Sequence, residues 1–486
     1  MGKTKPMKLI TRDVIHKEIK LSSLRPNNDG TVKETVIDYV ELCSQIDRNK
    51  EYLVNVKKVK PGQKVILCTL YWPSYASWFF ACSELGLVFV VSDWPKSDIA
   101  RTKLSLYGEI DYIIQDLKMP LFSEWWPEKI IEVAEVEAYN PTGNPTPIWV
   151  NPTDVLLLAT SSGTTGTPKV IPNTHEWFYN ILHRAGKLYN LTEEDNCYHS
   201  KPLHHGSVCG MFFLPSLKYS KNHFHAPFKF MIPEQGKSWE ETESFFIRAW
   251  VNWFQEKKIT RTMLFPDQIE YLNKYISYDN KRENNLTIYC LSKIKKEEIE
   301  NLVAKFKYKM ISIFGANEIG GPLFLPAITP DNYTSFNPSF MGPKLDDFYD
   351  LEIVEGMLIT TRPDGIIVST GDKFKLVDGN YYYLGRENVY RIDGKTIYMD
   401  LFNEVVEKIL KQKKEDDFDL VIDSEEETFY IRVNTDVDLE ILNDEVTKQI
   451  GMNVYNISKK IIGHRTKYFA SIKFDPETIR IECRRL

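Results

Sequence analysis

VLLLATSSGTTGTPKVIPNTH, residues 155–175, carries the strongest local signal in the chain. Val155–Thr160 is a short apolar run and reads as a buried strand. The residues from Ser161 to Lys169 are polar and carry two glycines. Gly163 and Gly166 let the backbone take positive φ and bring N–H groups close to an anion. The hydroxyls of Ser161, Ser162, Thr164 and Thr165 can donate to phosphate oxygens, and Lys169 adds a point charge. The loop is not a Walker A loop, because Pro168 precedes Lys169 and Val170 follows it. Beyond VIPN, residues 174–191 (THEWFYNILHRAGKLYNL) have the spacing of an amphipathic helix. The stretch therefore reads as strand, anion-binding loop and helix.

Working upstream, Val65–Leu70 is another apolar run after a Pro-Gly turn. Pro73 opens a segment with apolar residues at helical spacing (Tyr75, Phe79, Cys82, Leu85), and Gly86 ends it. Leu87–Val91 is a second buried strand. This βαβ unit requires a parallel sheet. DYIIQD at 111–116 supplies a third strand. Downstream, residues 386–486 read differently. A helix near Leu401–Leu410 precedes alternating strands such as EETFYIRV, then a helix (LEILNDEVTKQI) and two further strands. That pattern is a small α+β unit. The predicted organisation is an α/β domain over 1–385 and a smaller α+β domain over 386–486.

Composition narrows the function. The 486 residues, 43% of them hydrophobic, can bury a large core. A balance of 61 basic to 67 acidic residues leaves a net charge of -6, which argues against a nucleic-acid partner. No apolar run approaches the roughly 18 residues that span a bilayer. The opening MGKTKPMKLITRDVIHKEIK lacks the apolar core of a secretory signal, and Pro6 stands where a myristoylation signal needs Ser or Thr. Seven scattered cysteines without a CxxC predict neither a disulfide scaffold nor a cysteine zinc site. The expectation is a cytoplasmic protein.

Ser161-Ser162-Gly163-Thr164-Thr165-Gly166-Thr167-Pro168-Lys169 resembles the [ST]-S-G-[ST]-T-G-x-P-K signature of the adenylate-forming superfamily. Acyl-CoA synthetases, peptide-synthetase adenylation domains and firefly luciferases belong to it. Further segments resemble that superfamily in the same order. His175 falls where the family often has a histidine, and KPLHHGSVCG (201–210) resembles P-L-x-H. LFPDQIEYL (264–272) resembles v-P-x-x-x-x-L, and ISIFGANEIGG (311–321) resembles aromatic-G-x-T-E. STGDKF (369–374) matches T-G-D, and GRENVYRIDGKTI (385–397) resembles the G-R hinge and the glycine motif after it. The resemblance covers nearly the whole chain.

It implies a large domain of parallel-sheet subdomains with a small barrel, and a mobile C-terminal cap. It also implies an ATP-dependent carboxylic-acid ligase. Such an enzyme forms an acyl-adenylate, releases pyrophosphate and passes the acyl group to CoA, a carrier protein or an amine. The partners would be a small carboxylic acid and an acyl carrier protein, and the cofactors ATP, Mg²⁺ and CoA or phosphopantetheine. By resemblance, Ser161, Ser162, Gly163, Thr164, Thr165, Gly166 and Lys169 would hold the β- and γ-phosphates. Glu318 would bind Mg²⁺, and Phe314 would stack on adenine beside Gly315, Ala316 and Asn317. Asp372 would accept from both ribose hydroxyls, and Arg386 would bond ribose or phosphate at the hinge. His205 would gate the acyl pocket. Glu387 or Asn388 would be the hinge, and Gly394 would leave room for a phosphopantetheine arm.

The sequence also departs from the pattern. The family's catalytic lysine lies in P-x-x-x-x-G-K-I, whereas this chain ends DPETIRIECRRL. Aligning Ile481 with the motif's isoleucine puts Arg480 at the lysine position; Lys473 and Lys467 are the alternatives. Arginine keeps the charge but not the compact ammonium. Asn317 replaces a threonine, Ser312 an asparagine and Val170 a glycine, and CLSKIKK (290–296) replaces the substrate wall. Glu318 to Asp372 is shorter than usual, which implies a trimmed barrel. Arg480 and CLSKIKK motivate a second reading, a catalytically impaired nucleotide-binding relative with a regulatory role. His205 stands at or beside the place of the aspartate that pairs an α-ammonium in peptide-synthetase domains, which favours an uncharged or aryl acid.

Overall fold

The computed structural model describes residues 8–26, 32–69, 72–90, 104–116, 120–143, 147–160, 170–199, 209–226, 239–264, 266–275, 286–290, 299–305, 307–316, 318–386, 389–392, 395–398, 418–423, 428–433, 458–460, 468–474 and 479–485. The chain divides into two compact units. Met1–Asp93, Leu106–Gly163 and Pro168–Gly385 make up the larger; Arg386–Leu486 makes up most of the smaller.

The apolar runs upstream of the loop form the first sheet of the larger unit. Among the described residues its order is Ile130–Glu132, Tyr112–Gln115, Lys64–Cys68, Val88–Val90, Val155–Thr160, Val170–Thr174. Lys64–Cys68 runs parallel to both Val88–Val90 and Tyr112–Gln115, as the βαβ reading requires. VIPN leads into the helix His175–Leu188, as the sequence predicts, and is itself part of a strand that the sequence reading left unassigned. Val170–Thr174 is a strand that pairs antiparallel with Val155–Thr160, and Thr160 faces Val170 across the loop. Its Pro172 cannot donate to a ladder, and the strand stands at the sheet edge, where proline is tolerated.

The second sheet has the order Ala327–Ile328, Lys309–Ser312, Thr287–Cys290, Arg261–Leu264, Asn196–His199, Asn222–His225, Lys20–Pro26, Val32–Asp38. Its strands from Lys309–Ser312 to Lys20–Pro26 are mutually parallel. The helix Trp72–Glu84 packs against Lys64–Cys68 of the first sheet and Lys20–Pro26 of the second. That position explains its composition. Tyr75, Trp78, Phe79, Phe80 and Cys82 are all buried, as expected of a helix covered on every side.

Where the resemblance leads one to expect a small barrel, the described strands form a third sheet. Asp350–Val354, Met357–Thr361, Ile367–Val377 and Asn380–Arg386 follow one another in it, and Phe340–Gly342 pairs with the last. In the smaller unit, Val389–Ile392 and Lys395–Tyr398 form a hairpin. A separate sheet there has the order Phe418–Asp423, Thr428–Val433, Tyr468–Phe474, Ile479–Arg485, Ser458–Lys460. The two helices expected in this unit lie outside the described residues. Among the described residues, no helix is long and apolar enough to cross a membrane.

One buried charge cluster fixes the start of the chain. The Glu84 carboxylate has no exposed surface and meets the guanidinium of Arg12 at 2.8 Å. Lys50 Nζ donates to it at 2.9 Å, and the Arg12 backbone N–H does so at 3.0 Å. Burial pushes the Glu84 carboxyl up, but hydrogen bonding and charge from Arg12, with the charge of Lys50, outweigh it and hold the group below its ordinary value. Glu84→Gln is expected to cost about 3–5 kcal/mol in urea denaturation at pH 7, since it takes the carboxylate from the buried Lys50 ammonium and leaves Arg12 with Asp47 as its anion. The native carboxyl is depressed, so its stabilising contribution is complete above the ordinary pKa of 4.5 and fades as the pH falls through the native value. The gap between variant and wild type should therefore narrow in acid. A gap that widens there would refute the assignment.

Candidate active site

In the second sheet the chain passes from Asn196–His199 to Asn222–His225 on one side and to Arg261–Leu264 on the other. Ligands of open parallel sheets bind outside the carboxyl ends of the strands at such a reversal. Lys309–Ser312 runs parallel to Thr287–Cys290 and delivers the chain, at that same end, to Phe314.

Phe314–Gly315 then pairs antiparallel with Pro322–Phe324. In the turn between them, the Ala316 carbonyl accepts from Ile319 N at 3.1 Å and from Gly320 N at 2.9 Å. Gly320 takes a positive φ of 71°, a conformation that favours glycine. Glu318 lies in this turn and is buried. Gly315 is required for packing. A Cβ there would lie 2.3 Å from Met211 Cε and 2.7 Å from the Gly321 carbonyl oxygen. Met211 belongs to the π-helical turn Cys209–Phe213, which follows the P-L-x-H-like segment.

Phe314 is half-buried and packs edge-on against Phe374, with ring centroids 5.0 Å apart. Tyr383 and Phe324 lie 5.7 and 6.0 Å from it. Phe374 and Asp372 share the strand Ile367–Val377. Residues two apart on a strand point to one face, so the contact between Phe314 and Phe374 fixes the hairpin beside the Asp372 strand. Asp372 is buried and follows Gly371, whose φ is 73°.

Side chains from elsewhere grip the backbone of the turn. Arg362 Nη1 donates to the Glu318 carbonyl at 2.9 Å and to Asn173 Oδ1 at 2.7 Å. The Tyr349 hydroxyl donates to the Ile319 carbonyl at 3.2 Å. Arg184 Nη1 donates to the Pro322 carbonyl at 2.6 Å, while the rest of its guanidinium binds Asp346 bidentately at 2.7 and 2.9 Å. Asn173 lies on the strand into which the Ser161–Lys169 loop opens, and Arg184 lies on the helix His175–Leu188 after that strand. Sequence reasoning missed Arg362, Asn173, Tyr349 and Arg184. Arg362 is followed by Pro-Asp-Gly, which reads as an ordinary surface turn.

The structure thus brings Phe314, Gly315, Ala316 and Glu318 into one hairpin and sets it beside the strand of Asp372. His175 is buried, and its Nδ1 accepts the Ile10 N–H at 3.3 Å. Burial lowers its pKa to about 4, against the nearby charge of Asp154, so the ring is neutral at pH 7. Ser161, Ser162, Gly163, Thr164, Thr165, Gly166, Lys169, His205 and Asn317 lie outside the described residues, as do Glu387, Asn388, Gly394 and Lys467. The backbone of Arg386 closes the strand Asn380–Arg386, and Arg480 pairs in register with Lys473.

Among the described residues, no group of three or more His, Cys, Asp or Glu side chains could hold a metal. A single buried carboxylate at Glu318 does fit Mg²⁺ brought in on a nucleotide, since that ion keeps water and phosphate oxygens and needs only one or two carboxylates.

Residues 26–356 match the family model of the AMP-binding enzymes. Two curated relatives, feruloyl-CoA synthases from Amycolatopsis sp and Streptomyces sp, are 28% identical over 198 residues. That match spans 38% of this chain and 37% of each relative. Among solved structures, o-succinylbenzoate CoA synthetase from Bacillus subtilis, bound to a product analogue, superimposes with a TM-score of 0.67 at 15% identity, over 92% of both chains. McyG A-PCP complexed with phenylalanyl-adenylate gives 0.63 at 17% identity, over 93% of this chain and 90% of that one. The Bacillus synthetase in complex with ATP and magnesium ion gives 0.61 at 16% identity, over 80% and 83%. At these identities the solved structures establish the fold, and the family model, covering well over half of the sequence, establishes that the chain belongs to the AMP-binding enzyme family.

Proposed function

We propose that the protein is an ATP-dependent carboxylic-acid ligase that forms an acyl-adenylate and hands the acyl group to a thiol, that of CoA or of a carrier protein. The observation that carries this reading is the hairpin bearing Phe314 and Glu318, held against the strand of Asp372 by the Phe314–Phe374 contact. An aromatic face, a buried carboxylate for a hard cation and a second carboxylate for a diol suit the three parts of a magnesium nucleotide. The names of the relatives, which include CoA synthetases and an adenylate complex, agree with it.

In the first step a carboxylate oxygen of the acid attacks the α-phosphorus of ATP. The new P–O bond forms as the bond to pyrophosphate breaks. Two anions must meet, so the protein's work is positioning and charge neutralisation. The Ser161–Lys169 loop holds the β- and γ-phosphates, with Lys169 offsetting their charge. Asp372 holds the ribose, and Arg386 assists at ribose or phosphate. Phe314 covers adenine, with Gly315, Ala316 and Asn317 lining the approach. Glu318 would hold Mg²⁺, which would supply Lewis-acid neutralisation of the phosphates. Arg480 supplies the cation that the family's lysine provides, and His205 borders the acid. In the second step the thiol sulfur attacks the acyl carbon and AMP leaves. Gly394 favours a phosphopantetheine-type acceptor, and the division into 1–385 and 386–486 separates the two functional domains. An uncharged or aryl acid and a cytoplasmic setting complete the proposal.

The test is pyrophosphate exchange into ATP over a broad panel of acids, with the acceptor left out. Acid-dependent exchange is expected. ATP binding with no exchange on any acid would defeat the proposal. Lys169→Ala, Glu318→Ala and Asp372→Ala should each slow exchange by about 10²–10³-fold, the usual loss when a charge-stabilising group is removed. Arg480→Ala should impair adenylation to a similar degree, and wild-type rates in that variant would remove it from the site.

Phe314→Ala makes a separate prediction. Base–aromatic stacking contributes about 1–3 kcal/mol, so AMP should bind roughly 5- to 150-fold more weakly by titration calorimetry. Unchanged AMP affinity would show that the ring belongs to the core alone.

A further inference from the structure

The Arg362 side chain is wholly buried, and its guanidinium carbon lies 3.7 Å from the centroid of the Trp177 ring. Nε and Nη2 bind Asp364 at 3.1 and 2.6 Å. Nη1 is shared between Asn173 Oδ1 at 2.7 Å and the Glu318 carbonyl at 2.9 Å. One planar cation therefore joins three stretches of chain. Asn173 lies on the strand that receives the Ser161–Lys169 loop, and its backbone is paired with Leu157 on the strand that feeds the loop. Glu318 lies on the opposite hairpin. Trp177 opens the helix that follows.

Burying a guanidinium is costly, and apolar packing of equal volume often serves stability as well or better. Arginine does here what no apolar side chain can. Its fork has fixed geometry, and it sets the distance between the Glu318 backbone and the strand leaving the loop. If the loop cradles the β- and γ-phosphates and Glu318 meets their magnesium, that distance must match the triphosphate. A misplacement of 1 Å in such an arrangement costs about 10²-fold.

We infer that Arg362 is a positioning residue that, through Asn173 and the Glu318 carbonyl, fixes the strand Val170–Thr174 against the turn that carries Glu318. The inference rests on the adenylating function proposed above. It makes a selective prediction, because the β- and γ-phosphates depend on this distance and the AMP portion does not.

Full-length wild type, Asn173→Ala, Asn173→Asp, Arg362→Lys and Arg362→Met are compared by thermal melting, by equilibrium binding of MgATP and of AMP, and by pyrophosphate exchange against Mg²⁺ concentration. Asn173→Ala and Arg362→Lys should weaken MgATP binding about 10- to 100-fold and raise the Mg²⁺ needed for half-maximal exchange, while AMP affinity stays within about twofold. Asn173→Asp keeps an acceptor for Nη1 and should retain most of the MgATP affinity. Arg362→Met should behave as Arg362→Lys or worse. Should it fail to fold, the two Asn173 variants decide. Equal loss of MgATP and AMP affinity, or loss only in step with the folded fraction, overturns the inference and leaves Arg362 a stabilising residue. Absence of exchange in the wild type would instead defeat the underlying function, an outcome that the variant binding ratios keep separate.

Discussion

A guanidinium cut off from water needs acceptors along its edges and a soft surface on its face, and Arg362 finds both. Asp364, Asn173 and the Glu318 carbonyl meet its N–H groups, and Trp177 meets its face. Each partner constrains a different element. Asp364 belongs to the tight turn in which Gly365 N donates to the Arg362 carbonyl at 2.9 Å, and Gly365 takes a φ of 81° there. Asn173 must lie on a strand with its side chain turned inward, and it is fully buried. Glu318 must present its carbonyl to the guanidinium. The first sheet, the hairpin and the third sheet are thereby held to one another at a single cation.

The helix that follows the loop is anchored from several directions. The Thr174 side chain caps it by accepting from Trp177 N at 3.1 Å. His175, kept neutral by burial, accepts the Ile10 N–H and joins the helix to the start of the chain. Ile10 in turn lies two residues before Arg12, which is held by Glu84. Trp177, Phe178, Ile181 and Leu182 bury one face. Gly186 lets Tyr219 approach so closely that a Cβ would fall 2.2 Å from its ring. Helix propensity has little part in this. Tertiary contacts fix where the strand Val170–Thr174 ends and hence where the loop must return.

What could be read from the sequence follows the physics of each signal. The strands at Lys64–Cys68, Val88–Val90 and Val155–Thr160 were legible because strands covered on both faces are apolar without interruption. The helix Trp72–Glu84 was legible from Pro73, its apolar spacing and Gly86, whose φ is 69°. The strand Val170–Thr174 was not, because Pro172 and Asn173 read as turn residues when the edge position that admits them is unknown. Phe314, Glu318 and Asp372 were visible only through the order of short motifs. Nothing in local pattern tells a buried carboxylate from an exposed one, and the structure places both carboxylates inside. Arg362, Asn173 and Arg184 stayed hidden because their partners are distant in sequence. An arginine before Pro-Asp-Gly looks solvated until the fold is known.

The turn between Phe314 and Phe324 shows why such residues are needed. A tight hairpin turn leaves carbonyls that no sheet can satisfy, and buried carbonyls without donors are costly. Within the turn the Ala316 carbonyl is satisfied by Ile319 N and Gly320 N. Glu318, Ile319 and Pro322 take their donors from Arg362, Tyr349 and Arg184. Two of those three donors are cations, which form the stronger class of hydrogen bond and are less easily displaced by water. A turn held this way does not relax when a charge arrives beside it. Preorganisation of that kind is what a site must have if it is to meet a polyphosphate and its metal without spending binding energy on rearrangement.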